Sequence, residues 1–89
     1  MSEHWSITVC GRVQGVYFRQ STLQKARSLA LTGYVRNLPN GDVYIEAEGE
    51  ALQLQELLTW CHAGPPMARV SAVQSQVGTI KNFTDFSVR

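Results

Sequence analysis

Charge is scarce and evenly balanced. Lys and Arg number 8 against 7 Asp and Glu, a net charge of +1 over 89 residues. That argues against a nucleic-acid protein relying on a basic surface. No apolar run approaches membrane-spanning length, so no membrane partner is expected. Cys10 and Cys61 are the two cysteines, too few for a disulfide scaffold and spaced like no zinc pattern. The opening Met1-Ser2-Glu3-His4 lacks the basic and apolar regions of a signal peptide, so a cytoplasmic location is expected. Repeats, linkers and low-complexity stretches are missing too. The length suits one domain over residues 1–89 rather than two.

What is present is an ordinary soluble composition, 44% hydrophobic and 17% charged, with a clear change of period along the chain. Trp5 to Cys10 alternates large apolar and small polar residues, as in a half-buried strand. From Phe18 the spacing becomes helical: Phe18, Thr22, Ala26 and Leu29 share a face, flanked by Leu23 and Ala30. Thr32-Gly33 is expected to close this helix. Tyr34–Leu38 and Val43–Glu48 read as strands joined through the turn residues Pro39-Asn40-Gly41-Asp42. In the second of these, Val43, Ile45 and Ala47 face one way and Tyr44, Glu46 and Glu48 the other, which predicts one wet face.

After Gly49-Glu50, the positions Leu54, Leu57, Leu58 and Cys61 form a helical stripe that Ala51 extends. Gly64-Pro65-Pro66 ends it. Ala68–Val77 is extended, with Val70 and Ala72 in alternation. Gly78–Asn82 is a loop, and Thr84–Arg89 a short last strand with Phe86 and Val88 inward. The order predicts an α+β, ferredoxin-like β-α-β-β-α-β sandwich: an antiparallel sheet, two helices on one face and a short C-terminal strand. Cys10 falls on the phase opposite Trp5, Ile7 and Val9, whereas Cys61 shares an apolar stripe, so two free thiols are expected. His4 and His62 are expected in solvent.

The stretch Gly11-Arg12-Val13-Gln14-Gly15-Val16-Tyr17-Phe18-Arg19 joins the first strand to the first helix. Its two glycines permit a sharp bend, which would aim successive backbone N–H groups into one hollow beside the positive end of a helix. That is a seat for a phosphate. Arg19 falls at the rim, where a guanidinium fork can grip two phosphate oxygens. Phe18 is expected to pin the loop to the core, and Arg12 to be a surface charge. On these residues alone the turn equally admits no ligand, Arg19 a plain surface role, and Asn37 the start of an Asx-turn. The loop is neither a Walker motif nor a dinucleotide fingerprint.

Two motifs in register add to this. Gly11 to Arg19 resembles the signature loop of the acylphosphatase family. Gly33-Tyr34-Val35-Arg36-Asn37-Leu38-Pro39-Asn40-Gly41-Asp42-Val43 is similar to that family's second signature. The spacing between them, the chain length and the Phe86-Ser87-Val88-Arg89 tail also resemble it. One departure is Ala30, where the family usually has glycine. If Ala30 takes positive φ, the cost is on the order of 1 kcal/mol.

The resemblance implies hydrolysis of acyl phosphates to a carboxylate and inorganic phosphate. It implies that the amides of Gln14, Gly15, Val16, Tyr17, Phe18 and Arg19 form the phosphate loop, which would also take free phosphate or sulfate. Arg19 would supply the charge and Asn37 would hold the attacking water. Neither motif contains a carboxylate or histidine, so the water's proton would pass to the phosphate itself. No metal and no organic cofactor are expected. Asp42, Glu46 and Glu48 are expected to face water, and a monomer is expected at this size. Two rivals stay open. One is a non-catalytic module binding RNA or a phosphate-containing ligand, although the third strand lacks the RNA-recognition signature. The other is a standalone relative of the acylphosphatase-like domains in larger maturation enzymes, which handle carbamoyl phosphate.

Overall fold

In the computed structural model, which describes residues 1–89, the expected elements appear in the expected order. They are β1 (Ser2–Arg12), α1 (Phe18–Ser28), β2 (Thr32–Asn37), β3 (Val43–Glu50), α2 (Ala51–Cys61), β4 (Arg69–Gly78) and β5 (Phe86–Val88). The sheet runs β4-β1-β3-β2-β5. The first four strands pair antiparallel, and β5 joins β2 in parallel, so the sheet is mixed. This ferredoxin-like plan sets β1, β2 and β5 pointing the same way, and their C-terminal ends reach one end of the sheet together. None of the helices is long and apolar enough to cross a membrane.

One-sided burial explains the layers. Ile7 and Val9 of β1, Val35 of β2 and Val43, Ile45 and Ala47 of β3 are fully buried against Leu54, Leu57 and Cys61 of α2 and Phe18 and Ala26 of α1. Helix α1 buries only Phe18, Thr22 and Ala26. The Phe18 ring, tilted against Trp60 at 5.4 Å, is therefore its main anchor, worth about 2–3 kcal/mol on burial. Ala51 is exposed in the first turn of α2 and does not extend the stripe. Both cysteines are free. Burial pushes the Cys61 thiol up to about 12.

Four local expectations are corrected. First, Gly11 does not shape the loop. It lies in β1 at φ 125, beside a β-bulge: Cys10 pairs with Ala72 but Gly11 with Val70, leaving Ser71 over. A Cβ on Gly11 would collide with the Arg69 carbonyl oxygen. The extra residue shifts the phase of β4, so Val70 and Val73 pack on the core while Ala72 is exposed.

Second, Ala30 rather than Gly33 closes α1. It adopts φ 57, donating to the Arg27 carbonyl at 3.0 Å while Leu31 donates to Ala26 at 3.0 Å. This is a Schellman end with alanine in the left-handed position. Gly33 is instead a strand residue at φ 138, pressed against the Glu46 carbonyl.

Third, the sheet face away from the helices is not wet at its centre. Glu46 and Glu48 are each 5% exposed, and His4, expected in solvent, 4%. The chain between β4 and β5 crosses this face and covers them. The Lys81 and Phe83 amides donate to Glu48 at 2.6 and 3.1 Å, and Lys81 Nζ to Glu46 at 2.9 Å.

Fourth, Tyr44, expected on that wet face, is half-buried. Tyr34 and Tyr44 both donate to Glu46 Oε2 at 2.8 Å. Burial, then the bond to Glu46, raises both phenols, Tyr44 to about 12.

Candidate active site

The segment from Val13 to Tyr17 links β1 to α1, and alternating burial shapes it. Val13, Val16 and Phe18 are buried, so Gly15, Tyr17 and Arg19 turn outward. Gly15 adopts φ 74 and Tyr17 φ 64, whereas Val16 between them does not take positive φ. Such alternation turns consecutive N–H groups toward a common point, forming an anion nest. The second left-handed residue is thus a tyrosine, not the motif's other glycine, Gly11.

No amide from Gln14 to Gln20 donates to a protein acceptor; the first bonded amide of the turn is that of Ser21, to the Tyr17 carbonyl. Helix α1 has no side-chain N-cap and no acidic residue in its first turn. Its positive end is therefore left uncompensated. Arg19, the second residue of α1, is exposed, and its guanidinium makes no ion pair or hydrogen bond within the protein.

Asn37 closes β2, opposite Val43. Because β1 and β2 run parallel with β3 between them, the loop and Asn37 emerge at the same end of the sheet. The Asn37 Oδ1 is buried without a donor. An acceptor left in that state costs about 1–3 kcal/mol until a donor reaches it.

The loop, the first turn of α1, Asn37 and Val88 of β5 line one open cavity of about 440 Å³. Gln14, Gly15, Tyr17, Phe18, Arg19 and Asn37 all reach it, while Val16, expected in the phosphate loop, is buried and does not line it. Val13, Gln20 and Val88 also line it and were not anticipated; for Val88 the only signal was its place in the matching C-terminal tail. No carboxylate, histidine or cysteine is in the lining, and no group of three or more such side chains is placed to hold a metal ion. Gln14 donates through Nε2 to the carbonyls of Leu38, at 2.8 Å, and Asp42, at 2.9 Å.

The family model described as Acylphosphatase matches residues 5–88. The chain belongs to the acylphosphatase family. An acylphosphatase of Marinobacter nauticus is 58% identical over 83 residues, covering 92% of this chain and 90% of its own. Among solved structures, an acylphosphatase from Coxiella burnetii superposes with a TM-score of 0.96 at 43% identity, covering 99% of this chain and 93% of its own. The acylphosphatase from Bacillus subtilis gives 0.95 at 32% identity, covering 100% and 99%. Residues of both segments that resemble the acylphosphatase signatures border the cavity.

Proposed function

We propose that this member of the acylphosphatase family hydrolyses the carboxyl–phosphate bond of small acyl phosphates, giving a carboxylate and inorganic phosphate in the cleft between the β1–α1 loop and Asn37. The observation that carries this is the run of amides from Gln14 to Gln20 without a protein acceptor, in the same cavity as the unpaired Arg19 and the unpartnered Asn37 oxygen.

An acyl phosphate already carries a good leaving group. What helps is neutralising the phosphoryl oxygens and placing a water in line. The loop amides act as fixed dipoles, and Arg19 adds a full charge to them in a bidentate grip. Asn37 orients the water, accepting one of its protons through Oδ1. The water oxygen bonds to phosphorus, the bond to the acyl oxygen breaks, and the electron pair leaves with the carboxylate. Both water protons end on phosphate oxygens. With no carboxylate, histidine or cysteine in the lining, the phosphoryl group is the acceptor at hand.

RNA binding has no support in this arrangement. The face on which such domains stack bases is covered here by the segment bearing Lys81 and Phe83.

Phosphate release from an aryl acyl phosphate, measured with a chelator present, tests the reading. Turnover is expected to persist, with inorganic phosphate competing. Arg19→Ala should abolish binding and turnover together, by at least ~10²–10³. Asn37→Ala should spare phosphate inhibition but suppress kcat. Wild-type turnover in Asn37→Ala would remove its role.

A further inference from the structure

The two halves of the cleft come from distant parts of the chain. The phosphate seat follows β1, and Asn37 closes β2, with the start of β3 between them. Gln14 spans that gap. It is half-buried and begins the run of free amides. Its Nε2 carries two protons, and both reach carbonyls of the β2–β3 turn, Leu38 at 2.8 Å and Asp42 at 2.9 Å. The same two carbonyls close the turn itself: Leu38 donates to Asp42 at 2.8 Å and Gly41 to Leu38 at 3.1 Å.

We propose that Gln14 is a positioning residue, whose carboxamide fixes the water-holding side chain of Asn37 relative to the phosphate seat. This rests on the reading of the site given above. The two amide protons diverge within one plane. Two acceptors therefore fix the orientation of the carboxamide as well as its reach. On one side the path to the seat is short, because Gly15, the first left-handed residue of the nest, is the next residue along. On the other it is equally short, because the Leu38 carbonyl is one residue beyond Asn37 and fixes the direction in which β2 ends. The seat alone binds phosphate; hydrolysis also needs the water in line with the leaving oxygen. In-line geometry is unforgiving: a displacement of about 1 Å can cost ~10² in rate. Removing the clamp therefore acts on kcat and not on the affinity for phosphate.

A plain structural role makes a different prediction, so kinetics separate the two. Gln14→Met keeps the length and loses both donors. Its kcat on an aryl acyl phosphate should fall by ~10–100-fold, while the inhibition constant of inorganic phosphate moves by less than ~3-fold. In an Asn37→Ala background the same substitution should leave the residual kcat unchanged, because the group it positions is gone. Gln14→Ala, neutral and likewise without the donors, should show the same pattern, and covers the case in which the Met variant does not fold. The proposal is overturned by an unchanged kcat, by a phosphate constant that rises as far as kcat falls, or by equal losses in both backgrounds. If instead Asn37→Ala alone keeps full turnover, the assignment of the water falls first and this inference with it. A loss on Asn37→Ala combined with additive losses from Gln14 leaves that assignment standing and removes only the clamp.

Discussion

Tyr17 holds the strain in the loop. At φ 64 and ψ 23 it sits in the left-handed region, which costs an L-residue with a Cβ about 1–2 kcal/mol. Its ring is 80% exposed, so burial returns little of that cost. The conformation is imposed by its neighbours: Val16 and Phe18 are both drawn into the core, and the chain between them has to reverse. Asparagine enters this region more cheaply. Tyr17→Asn is therefore expected to raise stability by about 0.5–1 kcal/mol, read as a higher urea midpoint at unchanged slope; a lower midpoint would show that the ring contributes packing that its exposure conceals. Arg19 and Asn37 came into view through the resemblance of the two motifs, and the structure brings both to one cavity. Tyr17 was not legible, since no residue preference sends a tyrosine to positive φ. Gly11 misled for the converse reason: its freedom is used at a bulge, against the Arg69 carbonyl, and not in the turn. The Gln14 clamp was illegible as well, because its acceptors are main-chain atoms 24 and 28 residues away.

Helix α1 shows the same economy at its other end. Both bonds of a Schellman close are formed around Ala30, and Leu31 beyond it is buried with Ala26 in the core. The geometry is intact and only the residue at φ 57 is costly. Ala30→Gly relieves about 1 kcal/mol of backbone strain but adds freedom to the unfolded chain. The expected net gain is about 0.5 kcal/mol, or ~2–4 °C in Tm for a domain of this size; a fall in Tm would count against the strain. The elements themselves were readable because most are buried on one side only, so their period survives in the sequence. Strand β4 is the exception. Its bulge inserts Ser71, and alternation counted from Val70 lands on the exposed Ala72 instead of Val73. Nothing in residue order marks an insertion that only the partner strand defines.

The path of the chain as a whole explains why carboxylates are buried on the sheet's outer face. Strand β4 lies at one edge and β5 at the other, so the connection must cross the sheet. That crossing has no strand to pair with, and its amides need acceptors. Glu48 accepts from Lys81 and Phe83, and Glu46 holds the Lys81 ammonium. His4 completes the cluster, with Nδ1 at 2.7 Å from Glu48 and Nε2 at 3.2 Å from Glu46. The charges had read as solvated because the covering segment has no period of its own.

Burial alone would raise these carboxyls. The Lys81 ammonium and the Tyr34 and Tyr44 hydroxyls outweigh it at Glu46 and hold it at about 2, while the Lys81 amide, His4 and the Phe83 amide lower Glu48. A carboxyl whose folded value is depressed contributes stability that is complete above its unfolded value, near 4.5, and is lost as pH falls toward the folded one. For Glu46 the contribution is about 2 kcal/mol, discounted because Lys81 is half exposed and screened. Denaturant midpoints should thus be flat from pH 7 to about 5 and drop steeply from there to about 2.5. Glu46→Gln cannot titrate: it should be weaker at pH 7 and shallower in the acid range. Since Val88 of β5 lines the cleft, acid that frees the crossing segment should loosen that wall of the site together with the fold. Parallel acid profiles for the two proteins would mean that the crossing is held by Phe83 and Arg89 packing on Tyr34 and not by the charge on Glu46.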